Sequence, residues 1–96
     1  MHKVEGILGL ANRSRKLVSG EKIWDAIRKK QAKLIVMGED TGANTKKKIL
    51  DKCAFYEVEV MIVDSSQMIS NALNANRKVV AVCDKGFADA LRNMKG

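Results

Sequence analysis

The sequence predicts an α/β fold: a three-layer α/β/α sandwich around a four-stranded mixed sheet, with residues 1–96 forming one domain. Three observations carry this. Leu34–Met37 (LIVM) and Val79–Cys83 (VVAVC) offer no polar alternate position, so each strand needs cover on both faces. The stretches around them place apolar residues three and four apart, the period of a helix with one buried face. Helices and strands alternate from one end to the other, and 96 residues leave room for a single core.

Each element follows from its own pattern. Val4, Ile7, Leu8 and Ala11 predict an amphipathic helix over about Lys3–Arg13, ended by Asn12, Ser14 and the cations at 13–16. Leu17–Ser19 reads as a short strand. Ser19, with Gly20 behind it, is the expected N-cap of a helix that buries Ile23 and Ile27. Leu34–Met37 is a central strand, followed by a loop over 38–43. Asn44 is the expected cap of a helix through Cys53, with Ile49, Leu50 and Cys53 inward. Val58–Val63 is the next strand, and Ser65 or Ser66 caps a helix burying Ile69, Ala72 and Leu73. Val79–Cys83 is the last strand, expected to be central and buried like Leu34–Met37. Phe87, Leu91 and Met94 give a terminal helix.

Composition narrows the classes. Hydrophobic residues make up 46% of the chain, but with one Trp, one Tyr and two Phe the core must be aliphatic. No apolar run is long enough to span a bilayer, and MHKVEGILGL lacks a signal-peptide core and cleavage site, so a cytoplasmic setting is expected. Cys53 and Cys83 form no CxxC pair and fall in apolar patterns, which predicts two buried, reduced thiols. There is no proline, linker or internal repeat. Phosphate-loop, nucleophile-elbow and HExxH motifs are absent. His2 is the single histidine, and Glu39-Asp40 are neighbours whose side chains should diverge, so neither a metal nor another cofactor is expected.

The charge is uneven. Residues 1–53 hold thirteen of the 18 Lys and Arg and six of the 11 Asp and Glu, so the whole net charge of +7 belongs to that half. A one-sided excess of this size is the footprint of a partner that is a polyanion, with nucleic acid the first candidate. Lys46-Lys47-Lys48 open a helix, where cations oppose the helix dipole, so a contact to phosphate competes with a merely solvated helix start. Arg28-Lys29-Lys30 close a helix, where cations are favourable, so the solvated reading is stronger there. Trp24 sits beside the inward Ile23 and is expected at the rim of the core rather than as a stacking platform.

The segments LGLANRSRKLVSGE, AIRKKQAKLIVMGED and NTKKKILDKC resemble the ribosomal L-seven-Ae family of small RNA-binding proteins that recognise kink-turns, and within it the bacterial YlxQ-like branch. The resemblance covers nearly the whole chain. It implies a non-enzymatic protein that binds ribosomal or other structured RNA, acting as a monomer in the company of ribosomal, translation or transcription proteins. It also implies where RNA is met: the strand-to-helix junction Ser19, Gly20, Glu21 and Lys22, with Lys29 further along the helix and a facing loop that ends in Arg77 and Lys78. Arg13, Arg15 and Lys16 flank the junction in sequence. With Lys22 and Lys46 to Lys48 they are expected to form one basic surface around the start of the Gly20 helix.

The chain departs from the family pattern in three places. The Asn-Glu pair that reads the sheared pairs of a kink-turn is Glu21-Lys22 here, and a Lys one turn on is Asp25. Glu21 can accept a hydrogen bond from a guanine edge but cannot donate one. RNA binding therefore transfers better than kink-turn specificity. The competing reading is a protein-interaction module of the same fold with only non-specific RNA affinity.

Overall fold

The computed structural model describes residues 3–94; His2 lies outside them. The elements are α1 (Lys3–Arg13), β1 (Leu17–Val18), α2 (Lys22–Arg28), β2 (Leu34–Gly38), α3 (Ala43–Tyr56), β3 (Val60–Val63), α4 (Gln67–Leu73), β4 (Val79–Val82) and α5 (Lys85–Asn93). The sheet order is β1-β4-β2-β3. β2 and β3 run parallel, and β4 is antiparallel to both β1 and β2, so the sheet is mixed. The two fully apolar strands, β2 and β4, are its buried centre, with Leu34, Ile35, Val36, Val80, Ala81 and Val82 inaccessible to solvent. Alternate residues of these strands feed two cores. Leu34, Val36, Val80 and Val82 pack with Leu8, Ile69 and Leu91 of α1, α4 and α5. Ile35, Met37, Val79 and Ala81 pack with Ile23, Ile27, Ile49 and Cys53 of α2 and α3.

Several boundaries differ from the sequence expectation, each for a local reason. α2 begins at Lys22 with Glu21 as its N-cap residue, not Ser19, and no side chain caps it. α3 is capped by Gly42 rather than Asn44 and runs three residues past Cys53. β3 starts at Val60 rather than Val58, because the Val58 amide turns back to the carbonyl of Cys53 at 2.8 Å. Cys83 lies one residue beyond β4 and is half-buried, whereas Cys53 is buried; both are free thiols. Burial pushes the Cys53 thiol up to about 11, and burial also raises Cys83, opposed by Lys33. Both are therefore poor nucleophiles.

Four helices end on a residue in the left-handed region that is not glycine: Arg15, Lys30, Glu57 and Asn74. After each, the next amide returns five residues to the helix: Lys16 to Ala11, Gln31 to Ala26, Val58 to Cys53 and Ala75 to Ser70. This is the Schellman closure, which satisfies carbonyls that the helix leaves unpaired.

The loop after β2 is tied to the start of α4. The Asp40 carboxylate accepts from the amide and the hydroxyl of Ser66, each at 2.7 Å. Ser65 Oγ accepts from the Gln67 amide at 3.1 Å, so both expected serines hold this helix start, but Ser66 does so through Asp40. The bonds from Ser66 hold the Asp40 carboxyl below its ordinary value of 3.8. A depressed carboxyl stabilises the fold above its unfolded value, and that contribution is lost as pH falls through the folded value. Asp40→Asn is therefore expected to lower the melting temperature at neutral pH. The gap between wild type and variant should stay constant down to about pH 5 and close below about pH 4, as read by thermal melts across that range.

Candidate nucleic-acid interface

The topology sorts the loops into two ends. β1, β2 and β3 point the same way and β4 points back, so one end of the sheet gathers the loops at 19–21, 39–42, 64–66 and 74–78. We call this the upper edge. Its loops are bonded to one another. Arg77 Nε donates to Ser19 Oγ at 3.2 Å, joining the strand-to-helix junction to the loop before β4. The Gly38 amide donates to the Lys78 carbonyl at 2.9 Å, and Lys78 Nζ reaches the Asp40 carbonyl at 3.5 Å. Ser70 Oγ holds Arg77 from behind, donating to its carbonyl at 2.9 Å and accepting from its amide at 3.0 Å. The 75–78 loop is thus pinned against the junction at residues far apart in sequence.

Ser19, Gly20, Glu21, Lys22, Arg77 and Lys78 therefore meet at this edge, and Lys46 and Lys47 join them from the first turns of α3. All but the half-buried Ser19 and Lys46 are exposed. Lys46 is engaged already: its ammonium lies 3.3 Å from Glu39 Oε1 and 3.1 Å from the Glu39 carbonyl. Glu39 and Asp40 diverge, one toward Lys46 and the other toward Ser66. Lys22, Lys47 and Lys48 make no ion pair among the described residues. Gly42 and Glu21 start two helices here, so the positive ends of the α2 and α3 dipoles face the same side as these cations. The α2 start is tight, because the amides of Ile23 and Trp24 already donate to the carbonyls of Gly20 and Glu21.

Arg13, Arg15 and Lys16 do not join this edge. The Lys16 carbonyl accepts from the Cys83 amide, at the opposite end of β1 from Ser19. Lys29 is the C-cap of α2 and also lies at that lower end. The single basic surface expected from sequence is two basic groups separated along the strands, because β1 carries the chain from one end to the other between Lys16 and Ser19. Asp25 is paired with Arg28 on the exposed face of α2, so its charge is partly neutralised there.

Gly20 has φ of +71°, and a Cβ built there meets nothing within 4 Å. The space is open, as a close backbone approach requires, but the conformation itself selects glycine. A β-branched residue there is strained even though the space is open. Gly20→Val is expected to destabilise the fold by about 2 kcal/mol, measured by urea unfolding; a midpoint equal to wild type would contradict the strain argument.

Sequence reading missed one feature of the site. A groove of about 1270 Å³ runs between α2 and α3 from the upper edge, past Trp24, Lys48 and Lys52, to Phe55 and Tyr56. Trp24 does pack at the rim of the core, and it also lines this groove. The signal was present: Lys48, Lys52 and Phe55 are spaced i, i+4, i+7, one stripe of a helix.

The model of the Ribosomal protein L7Ae/L30e/S12e/Gadd45 family matches residues 2–92. The chain belongs to this family. It is 46% identical over 87 residues to a Bacillus subtilis (strain 168) protein named RNA-binding protein YlxQ, a match covering 88% of this chain and 87% of that protein. An Enterococcus faecium protein of the same name is 37% identical over 93 residues, covering 96% and 90%. Among solved structures, a Bacillus halodurans C protein of unknown function superposes with a TM-score of 0.92 at 38% identity, over 98% of this chain and 97% of that one. A Giardia lamblia protein described as a 15.5kD RNA binding protein gives a TM-score of 0.76 at 11% identity, over 95% and 80%, which shows a shared fold. In this family member no helix among the described residues is long and apolar enough to cross a membrane.

Proposed function

We propose that this protein is a non-enzymatic, cytoplasmic RNA-binding protein that binds structured RNA, as a monomer, through its upper edge. The observation that supports the reading is the bond between Arg77 and Ser19, which joins the 75–78 loop, with Lys78, to the junction that carries Lys22. The names of the curated relatives support the ligand class. In this reading Lys22, Lys47, Arg77 and Lys78 neutralise phosphates and supply affinity, while Glu21 accepts from a base edge and supplies selectivity. Lys46 mainly holds the 39–42 loop through Glu39. Arg13, Arg15, Lys16 and Lys29 form a separate basic group that adds long-range attraction.

Glu21 and Lys22 replace the pair that reads sheared G·A pairs, so the preference of this family member for kink-turns is the property to test. A kink-turn RNA and a plain duplex of equal length are the two ligands, and Glu21→Ala is the variant. The preference for the better ligand should flatten by about 1–3 kcal/mol, while binding to the poorer one rises slightly because a negative charge is gone. Equal tightening toward both RNAs would instead favour the reading in which the basic surfaces are general and the specific partner is a protein.

A further inference from the structure

We infer that the groove between α2 and α3 binds an unpaired stretch of RNA, with a base stacked on Phe55 and the backbone following Lys48 and Lys52. This rests on the RNA-binding reading above and extends it to a second contact of different chemistry. Phe55 is 77% exposed, the most exposed large apolar side chain among the described residues. It contributes nothing to either core. Its ring meets Tyr56 edge to face, with centroids 4.8 Å apart, so Tyr56 does not stack over both of its faces, and it lines the groove. The helix end that carries Phe55 is anchored. Lys30 Nζ donates to the Tyr56 carbonyl at 2.7 Å, tying the end of α3 to the end of α2.

The occupant follows from charge and shape. Lys48, Lys52, Arg77 and Lys78 line the groove against the carboxylates of Glu21 and Asp51, an excess of cations along its length. Trp24 and Phe55 supply aromatic surface between the cations. Alternating cations and aromatic rings suit a sugar–phosphate backbone whose bases are free to stack; in a duplex the base faces are already covered. The upper end of the groove opens at Gly20, Arg77 and Lys78, the edge assigned to structured RNA, so a strand leaving a folded element enters it directly.

The test uses the whole protein and two probes: an oligouridine of roughly ten nucleotides carrying a central 2-aminopurine, and an RNA duplex of similar length. Wild type should bind the single strand with a change in 2-aminopurine fluorescence. Phe55→Ala should weaken that binding by about five- to a hundredfold and abolish the change, leaving duplex binding as it was. Phe55→Trp should restore both signals. Phe55 lies outside the cores, so these variants should melt like wild type. An oligouridine affinity unaffected by Phe55→Ala, or a loss shared equally by the duplex, would overturn the groove assignment while leaving the upper edge standing. Wild type that bound neither probe nor a kink-turn RNA would overturn the RNA-binding reading itself, and the groove with it.

Discussion

Gly38→Ala is expected to lower stability by about 3 kcal/mol, because Gly38 is more crowded than Gly9, Gly20, Gly42 or Gly86. Gly38 ends β2 and is buried where the chain turns into the 39–42 loop. A Cβ there would sit 2.5 Å from the Ser66 amide nitrogen, 2.7 Å from Ser66 Cα and 2.7 Å from Asp40 Oδ1. Two of these three are backbone of a helix start, which cannot swing aside as a side chain can. Relief would require α4 to move off the sheet or the Asp40–Ser66 bonds to break. For a domain of this size the melting temperature should fall by roughly 12–24 °C. Because Gly38 also positions the Lys78 carbonyl through its amide, surviving folded protein should bind RNA more weakly. A melting temperature within a few degrees of wild type would mean that the upper edge yields more easily than its bonding implies.

Replacing Arg77 and Lys78 together by alanine should weaken binding to all structured RNAs by about ten- to a hundredfold. The dependence of log affinity on log salt should become shallower by about two, one for each phosphate contact removed. The two residues differ in kind. Arg77→Lys keeps the charge but loses the Nε bond to Ser19, so it should preserve the salt slope while reducing discrimination between RNAs. Lys78→Ala should lower affinity and salt slope for all RNAs alike and leave discrimination unchanged. Filter binding at several salt concentrations separates these outcomes. An unchanged slope in the double variant would remove both residues from the interface.

Sequence legibility followed the strength of the local signal. β2 and β4 were plain because LIVM and VVAV allow no solvent-facing position, and their burial at the centre of the sheet follows from that. Helix ends were less plain. Their usual stop signal is glycine, yet Arg15, Lys30, Glu57 and Asn74 fill the left-handed positions here, so the α3 boundary and the start of β3 were misjudged. The Ser19 cap failed for a related reason. Ser19 is a residue type that caps, but Arg77 takes its side chain and α2 starts beyond it, whereas Ser66 is the N-cap residue of α4 even though its hydroxyl goes to Asp40. Of the candidate interface, the junction and the 75–78 loop were legible from family resemblance. The division of the cations between the two ends was not, since it depends on strand direction. Phe55 was passed over because an exposed aromatic at a helix end looks the same in sequence as one that packs.

The most direct test is the affinity of the wild-type protein for a folded kink-turn RNA and for a plain duplex, each measured at about 50 and 200 mM salt. The upper-edge reading expects both affinities to fall steeply with salt, and the folded RNA to remain the tighter ligand at the higher concentration. Equal affinities at both salts would reduce the basic edge to a general polyanion surface, and affinities indifferent to salt would contradict phosphate neutralisation by Lys22, Lys47, Arg77 and Lys78 outright.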